Sequence, residues 1–217
     1  MIITVDGPAA AGKGELTQRL AKHFGFARLD TGKLYRAVGW RVLAGGGDPE
    51  NEAAAVDAAK ALAADDLEAP GLRSEEAAEA ASKVAAIQAV RGVLLEFQRH
   101  FAAAPPGGRK GAVFDGRDTG TVVCPDAMIK LFLTASPEVR AIRRVKQLQE
   151  QGAEAIHGRV LQELKERDAR DTTRNVAPLK PAEDALVIDT SDMDADAVFA
   201  AALDFISSQA PDQLPKS

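Results

Sequence analysis

The sequence predicts an α/β fold in which a parallel β-sheet is layered between helices. Short apolar, β-branched segments alternate along the 217 residues with segments whose apolar residues recur at helical spacing. A glycine-rich loop joins the first apolar segment to the first helix. Polar clusters begin at Asp6, Asp30 and Asp115, each directly after or at the end of a predicted strand. Ligands of parallel sheets bind at the carboxyl ends of the strands, so these clusters mark the candidate site.

The loop after the first strand, residues 2–5, has the spacing of a nucleotide phosphate-binding loop. Gly7, Gly12 and Lys13 fit the GxxxxGK pattern, and an amphipathic helix follows. In such loops backbone N–H groups and the helix N-terminus surround a polyphosphate, and the lysine neutralises its β- and γ-phosphates. An ordinary glycine-rich turn is the alternative. The candidate phosphate-binding residues are Gly7, Pro8, Ala9, Ala10, Ala11, Gly12, Lys13, Gly14 and Glu15.

Position 14 is Gly, where many phosphate loops have a Ser or Thr whose hydroxyl reaches Mg²⁺. GKG in place of GKS or GKT is the form found in nucleoside monophosphate kinases.

The next elements are predicted from periodicity and turn residues. A short strand at 26–29 is followed by an exit turn at 30–32 and a helix with an apolar stripe at Leu34, Val38 and Val42. Tyr35 and Arg36 are expected in the first turn of that helix. Alanine and acidic residues dominate 48–73, which predicts a peripheral helical insertion.

The second half of the chain alternates in the same way. Ser74 is expected to cap a helix whose apolar stripe continues to Phe101. Further strands are predicted at 112–114, 129–133 and 185–189, and a closing helix at about 194–208. The tail at 209–217 is expected to be disordered.

Composition limits the class of protein. A 46% hydrophobic content over 217 residues predicts one domain with small insertions. The net charge of −5 disfavours a general nucleic-acid binder or an anionic-membrane binder. The single Cys124, the absence of zinc spacing and the absence of a signal sequence or long apolar run predict a cytoplasmic protein with no membrane partner. We assign no residue as a metal ligand.

An arginine-dense helical hairpin precedes the last predicted strand. Its arginines are Arg140, Arg143, Arg144, Arg159, Arg167, Arg170 and Arg174. Arg167, Asp171 and Arg174 have the spacing of one helical face. A solvated, salt-bridged surface would explain such a segment, but phosphoryl transfer also requires cations and a movable lid.

Five motifs together resemble the bacterial cytidylate kinases, nucleoside monophosphate kinases of the P-loop type. These are Gly7 to Gly14, LDTGKLYR at 29–36, ASKVA at 81–85, DGRDTGTVV at 115–123 and ERDARD at 166–171. Arg174 and APL at 177–179 follow, so the similarity covers essentially the whole chain.

The resemblance implies a three-layer P-loop fold with a five-stranded parallel sheet, in a single domain. Its core would comprise about 1–44, 106–142 and 176–208, with a nucleotide-monophosphate-binding insertion at about 45–105 and a small arginine-rich lid at about 143–175. It further implies transfer of the γ-phosphate of ATP to CMP or dCMP with Mg²⁺. We expect a monomer whose partners are these nucleotides.

The resemblance also assigns roles to individual residues. It implies that Arg36, Arg117 and Arg174 hold the acceptor phosphate, and that Lys13 acts on the transferred phosphate. Cytosine would be recognised by Thr31, Ser82, Arg91 and Asp118, while Arg167 and Asp171 would contact the sugar and close the lid. These residue types suit the roles, since arginine forks fit phosphate and an aspartate accepts from the cytosine amino group.

Alternatives remain for three of these residues. Thr31 could be a turn former, Ser82 a packing residue and Asp118 a cap. Ser82 and Arg91 are nine residues apart, which places them on opposite faces of one continuous helix. Both can reach one base only if the helix breaks between Ala86 and Ala89.

Two departures from the family pattern are visible. Glu15 occupies the position of a family threonine that would contact phosphate or metal, and the 48–73 segment is shorter and more helical than in many members. A nucleotide switch is a competing interpretation, but a guanine-reading NKxD motif and an apolar strand ending in Asp-Glu are both missing. A kinase for another acceptor, such as UMP or shikimate, also stays open.

Overall fold

The computed structural model describes residues 1–63 and 65–211 and contains one five-stranded, wholly parallel sheet within them. Its strands are β1 (Ile2–Asp6), β2 (Ala27–Asp30), β3 (Ala112–Gly116), β4 (Ile129–Thr134) and β5 (Leu186–Asp189). The strand order is β2-β3-β1-β4-β5. All five predicted strands are confirmed, with bounds within two residues of those expected.

Eight α-helices lie in the described ranges. They are α1 (Lys13–Phe24), α2 (Thr31–Ala44), α3 (Glu52–Lys60), α4 (Glu75–Val84), α5 (Gln88–Ala103), α6 (Pro137–Glu150), α7 (His157–Thr173) and α8 (Ala195–Gln209). Among the residues that the structure describes, no helix is long and apolar enough to cross a membrane.

Helices cover both faces of the sheet, which confirms the predicted three-layer α/β fold. Because side chains alternate along a strand, Val113 of β3 packs with α1 and α8, through Leu20 and Ile206. The next residue, Phe114, packs on the other face with residues of α2, α4 and α5, such as Val38. The side chains of these five residues are fully buried.

The segment between α2 and β3 is helical, as predicted for 48–73. It contains α3, α4, α5 and three short 3₁₀ turns at Asp65–Glu68, Pro70–Arg73 and Pro106–Gly108, and no strand among its described residues. The predicted helix break is present too. α4 ends at Val84 and α5 begins at Gln88, so the interruption lies at 85–87, at the start of the expected interval.

Helices α6 and α7 form the arginine-rich hairpin. Their shared seam consists of Ala141, Leu148, Val160 and Leu164, all buried. Arg144 of α6 is ion-paired with Glu75 of α4. This ion pair attaches the hairpin to α4.

Three local expectations need correction. α2 begins at Thr31 because Asp30 accepts a hydrogen bond from the Lys33 N–H as its N-cap, so Tyr35 lies in the second turn and not the first. Arg174 lies just beyond α7 as its C-cap. Gln209, placed in the predicted disordered tail, is the last residue of α8, and positions 212–217 of that tail lie outside the described residues.

Candidate active site

The glycine-rich loop has the backbone geometry that its sequence requires. Gly7 has a φ of +145°, and a Cβ there would lie 2.0 Å from the backbone oxygen of Leu133. Gly12 has a φ of +95° and caps the N-terminus of α1. A Cβ at Gly12 would have room, since the nearest atom would be 4.0 Å away. Glycine is favoured there because of the positive φ, which other residues rarely adopt.

Lys13 folds back over this loop. Its Nζ donates to the Pro8 backbone oxygen at 2.7 Å, and the side chain is buried. Burial, and then the neighbouring charge of Arg117, lower the pKa of Lys13 to about 7. A buried ammonium with a lowered pKa gains strongly from an anion placed beside it.

Two long-range contacts hold the loop in place. Arg140 of α6 donates to the Ala9 oxygen at 3.3 Å and pairs with Asp168 of α7 at 2.5 Å. Thr190, directly after β5, donates its hydroxyl to the Ala11 oxygen at 3.1 Å. Sequence pattern assigned no individual role to Arg140 and did not point to Thr190, because both contacts join residues more than 130 positions apart.

A cavity of about 670 Å³ opens between the loop, the sheet edge, α4 and the hairpin. It collects nearly all of the predicted site residues, namely Ala9, Ala10, Gly12, Lys13, Gly14, Glu15, Thr31, Arg36, Ser82, Arg91, Arg117, Asp118, Arg167, Asp171 and Arg174. Gly7, Pro8 and Ala11 do not line it; they belong to the loop's backbone turn.

Seven arginines and Lys13 line this cavity. Arg167 Nε and Arg174 Nη2 are buried without a hydrogen-bond partner. Burial, followed by the charge of Arg117, lowers the pKa of Arg167 to about 9, and burial lowers the pKa of Arg36 and Arg174 as well. Buried cations with unsatisfied donors require an anionic ligand, so this wall of the cavity is suited to phosphate.

The Asp171 carboxylate joins these arginines to α4. It lies 3.3 Å from Arg117 and accepts a 3.0 Å hydrogen bond from the Ser82 hydroxyl. Burial alone would raise its pKa, but Arg117, Arg167 and Arg174 together lower it. Asp171 is therefore an ionised hub that orients the arginines.

Asp118 and Arg91 form a second buried group beside it. Arg91 is ion-paired with Asp118, donates to the Ala85 oxygen at 3.3 Å, and lies 5.5 Å from the centre of the Tyr35 ring. The Ala85 oxygen is available because α4 ends there. Asp118 makes no side-chain cap hydrogen bond, which argues against the alternative that it serves as a cap.

Thr31 is held by the sheet, because its hydroxyl donates to the Asp115 backbone oxygen at 2.8 Å. Asp115 itself lines the cavity and received no role from the sequence. Burial raises the pKa of its carboxyl, while Lys13 acts in the opposite direction. Thr17 and Arg28 each lie 3.5 Å from its Oδ2. The only indication of Asp115 in the sequence was its position as a charged residue directly after the apolar residues 112–114.

The hairpin arginines have different environments. Arg143 donates to Thr190, Arg144 pairs with Glu75, and Arg159 forms an exposed i,i+4 pair with Glu163. Of these three, Arg159 matches the solvated, salt-bridged alternative, whereas Arg143 and Arg144 are partly buried and Arg144 also lines the cavity. Arg170 lines the cavity and lies 3.4 Å from the Ser82 hydroxyl.

A smaller cavity of about 240 Å³ lies beyond the loop. It is lined by Gly12, Glu15, Leu16, Arg143, Thr190, Met193, Asp194 and others. Glu15 borders both cavities and is exposed. Cys124 lines neither cavity, and burial raises the pKa of its thiol to about 11, so the thiol is protonated at neutral pH.

Comparison with known proteins identifies the family of this chain. The family model described as cytidylate kinase matches residues 3–208. The chain belongs to the cytidylate kinase family. A cytidylate kinase of Paramagnetospirillum magneticum is 62% identical over 208 residues, covering 96% of this chain and 98% of the relative. One from Rhodospirillum rubrum is 54% identical, covering 95% and 97%. The predicted family, and with it the prediction of a kinase, is confirmed.

Solved structures resemble this cytidylate kinase family member in fold alone. An uncharacterized protein from Eubacterium ventriosum has a TM-score of 0.55 at 16% identity, covering 96% of this chain and 98% of the other. An unliganded sugar kinase from Janibacter sp. has a TM-score of 0.50 at 16% identity, covering 100% and 99%.

Proposed function

We propose that this protein transfers the γ-phosphate of ATP to CMP or dCMP, giving ADP and CDP or dCDP. The single observation that carries the proposal is the set of cations around the larger cavity, in which Arg167 Nε and Arg174 Nη2 are buried without a hydrogen-bond partner, each 3.9 Å from a carboxylate oxygen. A donor triphosphate and an acceptor monophosphate would supply the hydrogen-bond acceptors that these nitrogens lack.

The donor is assigned to the phosphate loop. Its β- and γ-phosphates would lie at the N-terminus of α1, where the Lys13 ammonium would exchange the Pro8 oxygen for phosphate. The smaller cavity shares Gly12 with the larger one and is lined in part by the apolar side chains of Leu16 and Met193. It is placed to receive the adenine of ATP.

The acceptor phosphate is assigned to Arg36, Arg117 and Arg174. The Arg36 side chain makes no hydrogen bond or ion pair within the described part of the chain. Arg174 Nη2 makes no hydrogen bond and lies 3.9 Å from Asp118 Oδ1. Arg117 lies between this group and Lys13, lowering the pKa of both Lys13 and Arg36 after the effect of burial. It can therefore stabilise charge on the phosphoryl group during transfer, together with Lys13 and Arg167.

The base is assigned to the pocket around Asp118. Cytosine presents an amino donor at position 4, where uracil presents a carbonyl, so a reader of cytosine must offer an acceptor. Asp118 keeps free lone pairs beside Arg91 because a carboxylate can accept several hydrogen bonds. Arg91 and Ser82, brought together by the break at 85–87, complete the contacts with Thr31, and Asp171 with Arg167 would meet the sugar.

Mg²⁺ fits this site when it arrives with the nucleotide. In the described ranges no group of three or more His, Cys, Asp or Glu side chains could hold a metal alone. Mg²⁺ in kinases is held largely by phosphate oxygens, waters and one or two carboxylates. Asp115 would provide that carboxylate contact, and the ion would neutralise phosphate charge during transfer.

The chain is proposed to be divided into a core, a monophosphate-binding insertion at about 45–105 and a lid at about 143–175. The support is that α4 and the α6–α7 hairpin face each other across the cavity and are joined by Arg144–Glu75 and Ser82–Asp171. We propose a cytoplasmic monomer, supported by the single half-buried cysteine. Size-exclusion chromatography with light scattering tests the monomer.

A coupled assay that detects ADP tests the function. We expect ADP production to depend on CMP, with at most a slow background when CMP is omitted. A nucleotide switch would produce ADP equally with and without CMP, which would overturn the proposal. Shikimate in place of CMP tests the other acceptor class, and we expect no reaction.

A further inference from the structure

We propose that Asp6 is a positioning residue for base recognition, because it fixes the backbone that carries Asp118. This rests on the proposed function, in which Asp118 reads cytosine. Asp6 ends β1, directly before Gly7 of the phosphate loop, and its side chain does not line either cavity. Asp6 therefore affects base recognition through the residues to which it is hydrogen-bonded, Thr119 and Gly120.

The Asp6 carboxylate accepts three hydrogen bonds from two consecutive residues. Oδ1 accepts from the Thr119 backbone N–H at 2.9 Å and from the Thr119 hydroxyl at 2.8 Å. Oδ2 accepts from the Gly120 N–H at 2.8 Å. Asp6, Thr119 and Gly120 are all buried. These bonds define the start of the short π-helical turn Thr119–Val123, immediately after Asp118.

The surrounding glycines make room for this carboxylate. A Cβ at Gly116 would lie 3.3 Å from Asp6 Oδ1 and 2.4 Å from the Thr119 methyl group. A Cβ at Gly120 would lie 3.4 Å from Asp6 Oδ2 and 2.9 Å from the Thr4 hydroxyl. The DGRDTG segment thus closes around Asp6, and its path depends on the carboxylate.

Burying a charged carboxylate at position 6 costs free energy, so packing alone does not explain why an aspartate is present there. Burial raises the pKa of Asp6 to about 6 despite hydrogen bonds that lower it. A neutral residue at this position would avoid that penalty. Asp6 instead supplies two acceptor oxygens for three donors on Thr119 and Gly120. These hydrogen bonds fix the backbone next to Asp118 and so orient its side chain.

The effect should fall on the acceptor and not on ATP. The phosphate loop has its own anchors, since Arg140 holds Ala9 and Thr190 holds Ala11. The segment from Asp118 to Gly120 has Asp6 as its buried side-chain acceptor. Loosening this segment moves Asp118 relative to Arg91, so discrimination between CMP and UMP should suffer first.

The test compares Asp6→Asn, Thr119→Val and Ser207→Ala with the wild type. Asn keeps one acceptor oxygen and turns an amide donor toward one of the three N–H or O–H groups, so it breaks the arrangement at nearly constant volume. Thr119→Val removes one donor and keeps the carboxylate. Ser207→Ala is the control, because it removes a hydroxyl that donates to the Leu203 oxygen within α8 and lines neither cavity.

Steady-state kinetics with CMP and UMP give the result. We expect Asp6→Asn to reduce the CMP-to-UMP ratio of kcat/KM by roughly tenfold or more, with the KM for ATP changed less than about twofold. Thr119→Val should give a smaller reduction in the same direction, and it carries the test if Asp6→Asn does not fold. Ser207→Ala should leave the ratio unchanged.

Two failures are distinguishable. If Asp118→Asn changes the ratio while Asp6→Asn and Thr119→Val do not, the positioning role is wrong and the proposed function stands. Equal increases in the KM for ATP and CMP, with an unchanged ratio, would likewise reduce Asp6 to a folding role. A wild type without preference for CMP would overturn the proposed function, and the role of Asp6 with it.

Discussion

Asp118 and Arg91 form a buried ion pair at the base end of the cavity, with 7% and 8% of their side chains exposed. Burial raises the pKa of Asp118, and the charges of Arg91 and Arg174 oppose that rise. The pair thus keeps a carboxylate acceptor inside a pocket where an isolated carboxyl group would tend to be protonated. An ionised acceptor at this point favours the amino group of cytosine over the carbonyl of uracil.

Replacing Asp118 by Asn should therefore weaken base discrimination. An amide presents either a donor or an acceptor, so we expect the CMP-to-UMP ratio of kcat/KM to narrow by on the order of 1–3 kcal/mol. Initial rates with both nucleotides measure this. Arg174→Ala is the control, because it should weaken both acceptors alike. An unchanged ratio in Asp118→Asn would move the base reader to Ser82 and Arg91.

Lys13 should be needed for turnover and not for folding. Removing its ammonium with Lys13→Ala also removes the burial cost that lowers its pKa, so the fold should persist while phosphoryl transfer falls by roughly two orders of magnitude or more. Circular dichroism and the coupled assay measure the two effects. Cys124→Ser, which touches neither cavity, should keep full activity. Near-normal turnover in Lys13→Ala would contradict the phosphate-loop assignment.

Glu15 is the residue at which this chain departs from the family pattern. Its exposed carboxylate borders both cavities and opposes a triphosphate. We expect Glu15→Thr to lower the KM for ATP because it removes a negative charge from the first turn of α1 and restores a hydroxyl. ATP titrations at several Mg²⁺ concentrations measure this. If the KM stays the same and Mg²⁺ dependence weakens, Glu15 instead serves the Mg²⁺ water shell.

Asp6 should give the protein a characteristic pH dependence of stability. Its folded pKa of about 6 exceeds the ordinary value of 3.8, so between these pH values the folded protein holds the Asp6 proton more tightly than the unfolded chain. The contribution of Asp6 to the free energy of unfolding therefore falls as pH rises from about 4 to 6, by on the order of 3 kcal/mol, and is constant above. The charge of Asp118 adds to this effect.

Urea unfolding of the wild type and of Asp6→Asn, from pH 4.5 to 8, checks this prediction. We expect the stability of the wild type relative to Asp6→Asn to decrease up to about pH 6 and then to level off. A difference that stays constant across the range would show that Asp6 titrates near its ordinary pKa in the folded protein.

The sequence predicted those parts of the fold and site that depend on local pattern. The alternation of strands and helices and the loop from Gly7 to Lys13 follow from spacing and turn chemistry. The break between Ser82 and Arg91 was predicted only as the condition for the roles that the family resemblance gives to both residues. Side chains after parallel strands must meet at one sheet edge, and this brought Thr31 and Arg117 together with Lys13.

Other features depend on pairings between distant residues. Asp6 with Thr119, Arg140 with Asp168, and Thr190 with Ala11 are formed only when the sheet and hairpin assemble. Composition and periodicity contain no information on which arginine of a charged helix turns inward. Composition and periodicity therefore identified only the arginine-rich hairpin. The family resemblance was needed to single out Arg167, which lies at the cavity, from Arg159, which lies in solvent.

The most direct test of the account is an initial-rate screen of nucleoside monophosphates with ATP and Mg²⁺. The arrangement of Asp118, Arg91 and the arginines predicts that CMP and dCMP are the preferred acceptors, that UMP is slower, and that AMP and GMP give almost no product. A preference for UMP or a purine nucleotide, or equal rates with all of them, would contradict the assignment of this cavity to cytosine.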